Sequence, residues 1–202
     1  MNRSVFTLSI LLSLSGFAAA QATPSAYRRP RSEINLQGGG VFARAVTEDG
    51  VHYKPTSAGS VDVGYRFYLT RWLGVEGDFD YFRNSQKYTT STIVLSQKTN
   101  VAAVSGAAVF NLPNPLTKKF ESFFMVGGGA LIFHPENTDT SFETKQAIVF
   151  GGGIDVPLGR HLAIRGQAKT FLYKAPDFGV PALKVDKFTQ AMIPSAGIVW
   201  KF

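Results

Sequence analysis

Residues 58–81 read AGSVDVGYRFYLTRWLGVEGDFDY, and their alternation decides the fold. Val61, Val63, Tyr65, Phe67 and Leu69 share one parity; Ser60, Asp62, Gly64, Arg66 and Tyr68 share the other. A period of two puts the first set on one face of a β-strand and the second set on the opposite face. After Thr70-Arg71-Trp72 the pattern resumes, with Leu73, Val75, Gly77, Phe79 and Tyr81 against Gly74, Glu76, Asp78 and Asp80. A helix would scatter these three carboxylates over several faces, whereas a strand gathers them on one. The short connection makes the pair a hairpin, and Arg66 and Glu76 then sit at mirror positions about its turn.

Working outward, the same period predicts strands at 33–44, 58–69, 73–81, 100–110, 121–133, 146–158, 162–173 and 188–202. In the seventh, Ile164, Gly166, Ala168 and Leu172 alternate with Arg165, Gln167 and Lys169. Eight is an even number, as single-chain bacterial barrels require. The connections alternate too. Long polar ones cover 45–57, 83–99, 134–145 and 174–187, and shorter ones cover 70–72, 111–120 and 157–161. Long loops at one end and short turns at the other match an outer-membrane barrel, whose short turns lie in the periplasm. The predicted fold is all-β: one eight-stranded antiparallel transmembrane barrel with up-and-down meander topology, spanning 33–202.

Composition agrees. Of 202 residues, 45% are hydrophobic and only 17% charged, below the roughly 25% of an ordinary soluble domain. A surface facing lipid accounts for that deficit. There is no cysteine, hence no disulfide frame and no thiolate metal site. The net charge of +7 is scattered, apart from Arg28, Arg29 and Arg31, and no aromatic-interleaved basic helix points to nucleic acid. The apolar runs at 101–110 and 123–133 are about half the length a membrane helix needs, and they suit a tilted spanning strand of about 9–11 residues.

Residues 1–20 read as a secretory signal. Arg3 gives the positive start, 5–14 the apolar stretch, and Ala18-Ala19-Ala20 the small residues before a cut at Gln21. Residues 21–32, with Pro24, Pro30 and three Arg, read as a flexible leader.

Asp62, Arg66, Glu76, Asp78, Asp80, Arg165 and Lys169 fall on the parity opposite the apolar residues and are expected inside the barrel. Paired carboxylates invite a glycosidase reading. Yet an eight-stranded barrel is filled by its own side chains, so the expectation is a structural ion-pair network. Three glycine triplets, Gly38-Gly39-Gly40, Gly127-Gly128-Gly129 and Gly151-Gly152-Gly153, lie inside predicted strands. A nucleotide loop would open a helix instead. They read as places of bending, close backbone approach or room for a large neighbour. A hairpin symmetric about Thr140 would set Gly128 opposite Gly152. His52, His134 and His161 are too dispersed for a metal set, and no G-x-S-x-G elbow occurs. No catalytic, cofactor or metal site is expected.

Aromatics cluster near strand ends in the manner of two interfacial girdles. Trp72, Phe110, Phe120, Trp200 and Phe202 are expected at the short-turn end. Tyr81, Phe82, Phe133, Phe171, Tyr173 and Phe188 are expected at the long-loop end. Ala196, Ile198, Trp200 and Phe202 alternate up to a terminal Phe.

In this ending, and in segments such as 149–158 followed by 162–167, the chain resembles the OmpA/OmpX-like and opacity-type outer-membrane barrels. The resemblance implies a bacterial outer-membrane location, with lipids and lipopolysaccharide as surroundings. It also implies Trp200 and Phe202 as a signal to the barrel-assembly machinery; the long loops, rich in Thr, Ser, Asn and Lys, are expected to meet any extracellular ligand. The function expected is structural or surface-interacting, without catalysis. A narrow pore, a lipid-modifying enzyme and a soluble lipocalin-like barrel are the alternatives. The signal reading predicts that N-terminal sequencing of membrane-extracted protein starts at Gln21; an intact Met1 would defeat it.

Overall fold

The computed structural model describes residues 31–91, 94–112, 120–136, 142–178 and 187–202. The signal segment, all of the leader but its last two residues, and most of the 111–120 turn lie outside these. Ten strands occur: β1 (Ser32–Ala43), β2 (Val46–Glu48), β3 (Val51–Pro55), β4 (Ala58–Tyr68), β5 (Leu73–Thr89), β6 (Val94–Leu112), β7 (Glu121–Pro135), β8 (Glu143–Pro157), β9 (Leu162–Lys174) and β10 (Phe188–Lys201). Eight of them, all but β2 and β3, form a closed antiparallel barrel of sequential neighbours, sealed where β1 meets β10. Closure pairs every wall strand on both sides, which is what a lipid environment demands of backbone N–H and C=O groups.

The hairpin of residues 58–81 has the expected register, with Arg66 opposite Glu76 and Asp62 opposite Asp80. Its turn is fastened by Thr70, whose Oγ1 accepts from the Leu73 N–H at 3.0 Å. Along the wall, apolar side chains such as Leu36, Val63, Phe79, Phe150 and Ile198 are exposed, while Glu33, Asp62, Arg66, Asp80 and Arg165 are buried. The polarity is inverted relative to a soluble barrel, as the alternation requires of a wall facing lipid.

Three expectations need correction. Most of residues 83–99 are strand and not loop. β5 runs on to Thr89 and β6 begins at Val94, so this hairpin outreaches the rest of the barrel. Residues 45–57 hold the small β2–β3 hairpin, which lies against β5. Its two-residue turn is Asp49-Gly50, with φ of 47° and 79°, the left-handed pair that suits strand twist. Both segments are polar because the strands have left the lipid, and polarity there imitates a loop.

The third correction is the β7–β8 register: Gly128 faces Ile148 and Gly152 faces Phe124. The connection is not symmetric about Thr140, and the two triplets do not meet.

Gly153 shows what the triplets do. A Cβ there would lie 2.5 Å from the Gly166 carbonyl oxygen, 2.8 Å from the Gln167 Cβ and 2.9 Å from the Phe123 ring. The missing side chain is what lets the Phe123 ring lie across β8 inside the lumen. Gly128 points outward, and its Cβ would meet nothing closer than 3.7 Å. Gly153→Ala should therefore cost about 1–3 kcal/mol by overpacking, and Gly128→Ala much less. Urea titration of both variants in lipid vesicles checks this, and equal midpoints would refute it.

Candidate functional site

The lumen is layered. Nearest the short-turn end, Lys201 reaches Glu121 at 3.0 Å and Asp155 at 3.7 Å. Above it, Arg165 binds Asp155 through Nε at 2.7 Å and Nη2 at 2.8 Å. This two-pronged match to a carboxylate is the strong form of the contact. Arg165 also holds Glu33 and lies 3.4 Å from Glu76. Arg66 donates from Nε to Glu76 at 2.7 Å and sits 3.3 Å from Glu33. The Phe123 ring lies beside both guanidiniums, 4.1 Å from the Arg66 Cζ and 4.9 Å from the Arg165 Cζ. An aromatic face attracts cations, so the ring favours both guanidiniums, while the carboxylates of Glu33 and Glu76 that they share offset their mutual repulsion.

Asn35 and Gln37 of β1 carry the network upward. Asn35 donates to Glu76 at 3.2 Å, and Gln37 donates to Asn35 and to Asp62 at 3.0 Å each. The next layer centres on Lys169, whose Nζ lies 2.7 Å from Asp62, 2.8 Å from Asp80 and 3.7 Å from Asp78. Gly64 gives this layer its space, because a Cβ there would come within 2.3 Å of both Asn35 and Asp78. All seven charged residues expected inside are thus buried and in one connected network.

Several members were missed. Glu33, Asn35 and Gln37 alternate with Ile34 and Leu36, and Asp155 lies between Ile154 and Val156, so parity alone would have found them. Phe123 carried no polar signal at all.

Toward the long-loop end the lumen turns apolar. Val41, Phe82, Val101, Leu131, Phe133, Val149, Phe171, Tyr173 and Ile193 pack there in one buried cluster. This overturns the expected outer girdle in part. Phe82, Phe133, Phe171 and Tyr173 point inward, and only Tyr81 and Phe188 of that set are exposed. Parity is the reason: Phe171 and Tyr173 follow Arg165, Gln167 and Lys169 on one face of β9, and Phe82 cannot share a face with Tyr81. At the other end Trp72, Phe120, Trp200 and Phe202 are exposed as expected, and Phe110, half-buried, stacks on Trp72 and Phe124. Phe202 closes the barrel seam through reciprocal backbone bonds with Ser32 at 2.8 and 3.1 Å.

A family model for the outer membrane protein beta-barrel domain matches residues 9–202. The chain belongs to this family. Its members' fold is seen in solved relatives. The outer membrane protein OprG from Pseudomonas aeruginosa has 10% identity and a TM-score of 0.60, covering 86% of this chain and 97% of that one. Neisserial surface protein A has 10% identity and a TM-score of 0.62, covering 85% and 97%. The N-terminal barrel domain of Pseudomonas aeruginosa OprF has 11% identity and a TM-score of 0.50, covering 86% and 98%. No curated protein matches the sequence. The family and the inverted wall place the protein in the bacterial outer membrane.

Lys169 is the base that answers Asp62, Asp78 and Asp80 in the upper layer. Lys169→Met should destabilise the barrel by about 3–5 kcal/mol, since it strands buried charge. Adding Asp80→Asn should recover part of that loss. A double-mutant cycle by urea unfolding in vesicles measures the coupling, and strict additivity would show that the two do not interact.

Proposed function

We propose that this protein is a closed, non-catalytic outer-membrane protein that acts through the surface it presents outside the cell. The observation that carries this reading is the apolar cluster around Phe133 and Phe171, stacked over the charged layers. Ions crossing the lumen would have to displace tightly packed aromatic and aliphatic side chains. Below that cluster, Arg66 and Arg165 engage Glu33, Glu76 and Asp155, and Lys169 lies nearest Asp62 and Asp80. The lumen is narrow enough to be filled by its own side chains, which supports a structural role for these charges.

The extracellular side is built differently. The β2–β3 hairpin and the outer parts of β5 and β6 rise beyond the barrel with a core of their own, in which Val51, Tyr53, Tyr88 and Ala175 pack with Phe178. Tyr53 donates to Gln86, and Tyr88 donates to the Pro176 carbonyl oxygen. Burial, with Tyr173 and Tyr88 nearby, lifts the Tyr53 hydroxyl well above its ordinary range, so it remains a donor. A rigid raised sheet suits recognition better than a mobile loop. One fold neighbour, Neisserial surface protein A, is by its name a surface protein, which accords with this reading.

In the same reading Trp200 and Phe202, exposed at the periplasmic end of the seam strand, serve as the assembly signal, and the loops meet the extracellular ligand. Planar-bilayer recording of the purified folded protein tests the closed state. No single-channel steps are expected from the wild type; regular openings would overturn the proposal.

A further inference from the structure

Residues 175–178 follow β9 at the outer mouth of the barrel. Ala175 and Pro176 are buried, and Asp177 and Phe178 are half-buried. Phe178 packs against both apolar clusters, the one that fills the upper lumen and the one inside the raised sheet. It therefore sits between the lumen and what lies above it. Tyr88 donates to the Pro176 carbonyl oxygen at 2.5 Å, and its ring meets that of Phe178 edge-on at 6.5 Å. Tyr88 stands on β5, four strands from β9 in a ring of eight, so this contact spans the mouth. The Phe178 N–H donates to Glu143 of β8 at 2.8 Å. Lys145 holds that carboxylate at 2.5 Å and lies 4.0 Å from Asp177.

Two features set this stretch apart from the wall. Every wall strand is paired on both sides, whereas among the described residues no backbone–backbone bond ties residues 175–178 to a strand. Local opening of so lightly bonded a segment costs far less than opening the barrel. The second feature is backbone strain. Phe178 has a φ of 50°. Asp49 shares the sign, but there a two-residue hairpin turn requires it and an aspartate tolerates it. For a bulky side chain the left-handed region is uncommon, and it persists only where the surroundings impose it. The bonds to Tyr88 and Glu143, and the place of the ring between two clusters, are those surroundings. Strain of this kind gathers at switch regions.

We propose that residues 175–178 form a releasable strap across the extracellular mouth, latched by Tyr88 and Glu143 and loaded by the backbone of Phe178. Latched, it covers the apolar cluster of the upper lumen. Released, it withdraws the Phe178 ring and opens the top of that cluster to the medium, while the wall stays closed. Taking away the Glu143 carboxylate or the Tyr88 hydroxyl favours the released form. The proposal rests on the closed-barrel reading and adds to it a part of the mouth that moves.

The chain has no cysteine, so a single introduced thiol reports one position. The test labels the folded full chain in neutral detergent micelles with a water-soluble maleimide. Ala175 is 2% exposed, so Ala175→Cys should react slowly. Val94→Cys, at a position 73% exposed, gives the unprotected rate. Ala163→Cys, fully buried near the other end of the same strand, reports opening of the barrel itself. Adding Tyr88→Phe or Glu143→Ala should speed labelling at position 175 by about fivefold or more, as expected for one lost hydrogen bond, and leave position 163 unchanged.

Phe178→Ala and Phe178→Gly separate the ring from the backbone. Both lose the ring, but glycine adopts a positive φ without strain. The Gly variant should therefore label at position 175 about threefold more slowly than the Ala variant. Equal rates for those two would remove the loaded backbone from the proposal. Labelling at position 175 as fast as at position 94 in the parent would overturn the latch, as would unchanged rates in both latch variants. Equal acceleration at positions 175 and 163 would place the motion in the barrel and overturn the strap. Conductance is a separate readout, so failure of the strap leaves the closed-barrel reading to its own test.

Discussion

A chain that crosses lipid with strands must satisfy every backbone N–H and C=O within itself, and the rest of this structure follows from that constraint. Closure by the β1–β10 seam removes both edges. Eight strands are about the fewest that close, and they leave an interior only as wide as side chains can fill. The wall therefore inverts the usual arrangement. Its outer face is free to be apolar, while its inner face must be packed without water to solvate it.

Packing a narrow lumen with charge is expensive unless each charge is answered at once. Here the answer is distributed. Arg165 spans three carboxylates on three strands, Glu33, Glu76 and Asp155, and so ties β1, β5 and β8 to β9. Lys169 ties β4 and β5 to β9 in the same way. Directional contacts of this kind distinguish one strand register from its neighbours, because slipping by one residue would send each charge into lipid. The network thus adds register specificity to whatever stability it supplies. Gly64 and Gly153 belong to it although they carry no charge, since their missing side chains are the space that Asp78 and Phe123 occupy.

What was legible in the sequence follows the physics of each layer. Where a strand has lipid on one side and a polar lumen on the other, alternation is strong, and residues 58–81 disclose strand, face and register together. Arg66 and Glu76 could be paired from the sequence because a tight turn fixes the register over a few residues. Gly128 and Gly152 could not, because a longer connection sets the β7–β8 register and its length does not reveal where the turn begins. The upper lumen was misread for another reason. Phe82, Phe133, Phe171 and Tyr173 are apolar on the inner face, so both faces of those strand segments look alike, and the expectation of an aromatic girdle replaced parity. Beyond the membrane the outer face turns polar while the buried face carries Asn84 and Gln86 among its aromatics, so the contrast between faces weakens, and the outer parts of β5 and β6 read as loop despite Asp49-Gly50 marking the neighbouring hairpin.

The two ends of the barrel consequently carry different obligations. The periplasmic end is committed to closure: the Thr70 turn, the Ser32–Phe202 seam and the Lys201 pair with Glu121 leave little that can vary without loosening the wall. The extracellular end is released from that demand once the strands pass the apolar cluster around Phe133. Strands continuing above it need only pair with each other and bury one face, which Tyr53 and Tyr88 accomplish. Their other face is unconstrained by the fold, so its composition reports what it meets. Polar neutral residues would have been the least costly choice there, and Lys54 opposite Lys87 is among the more costly ones.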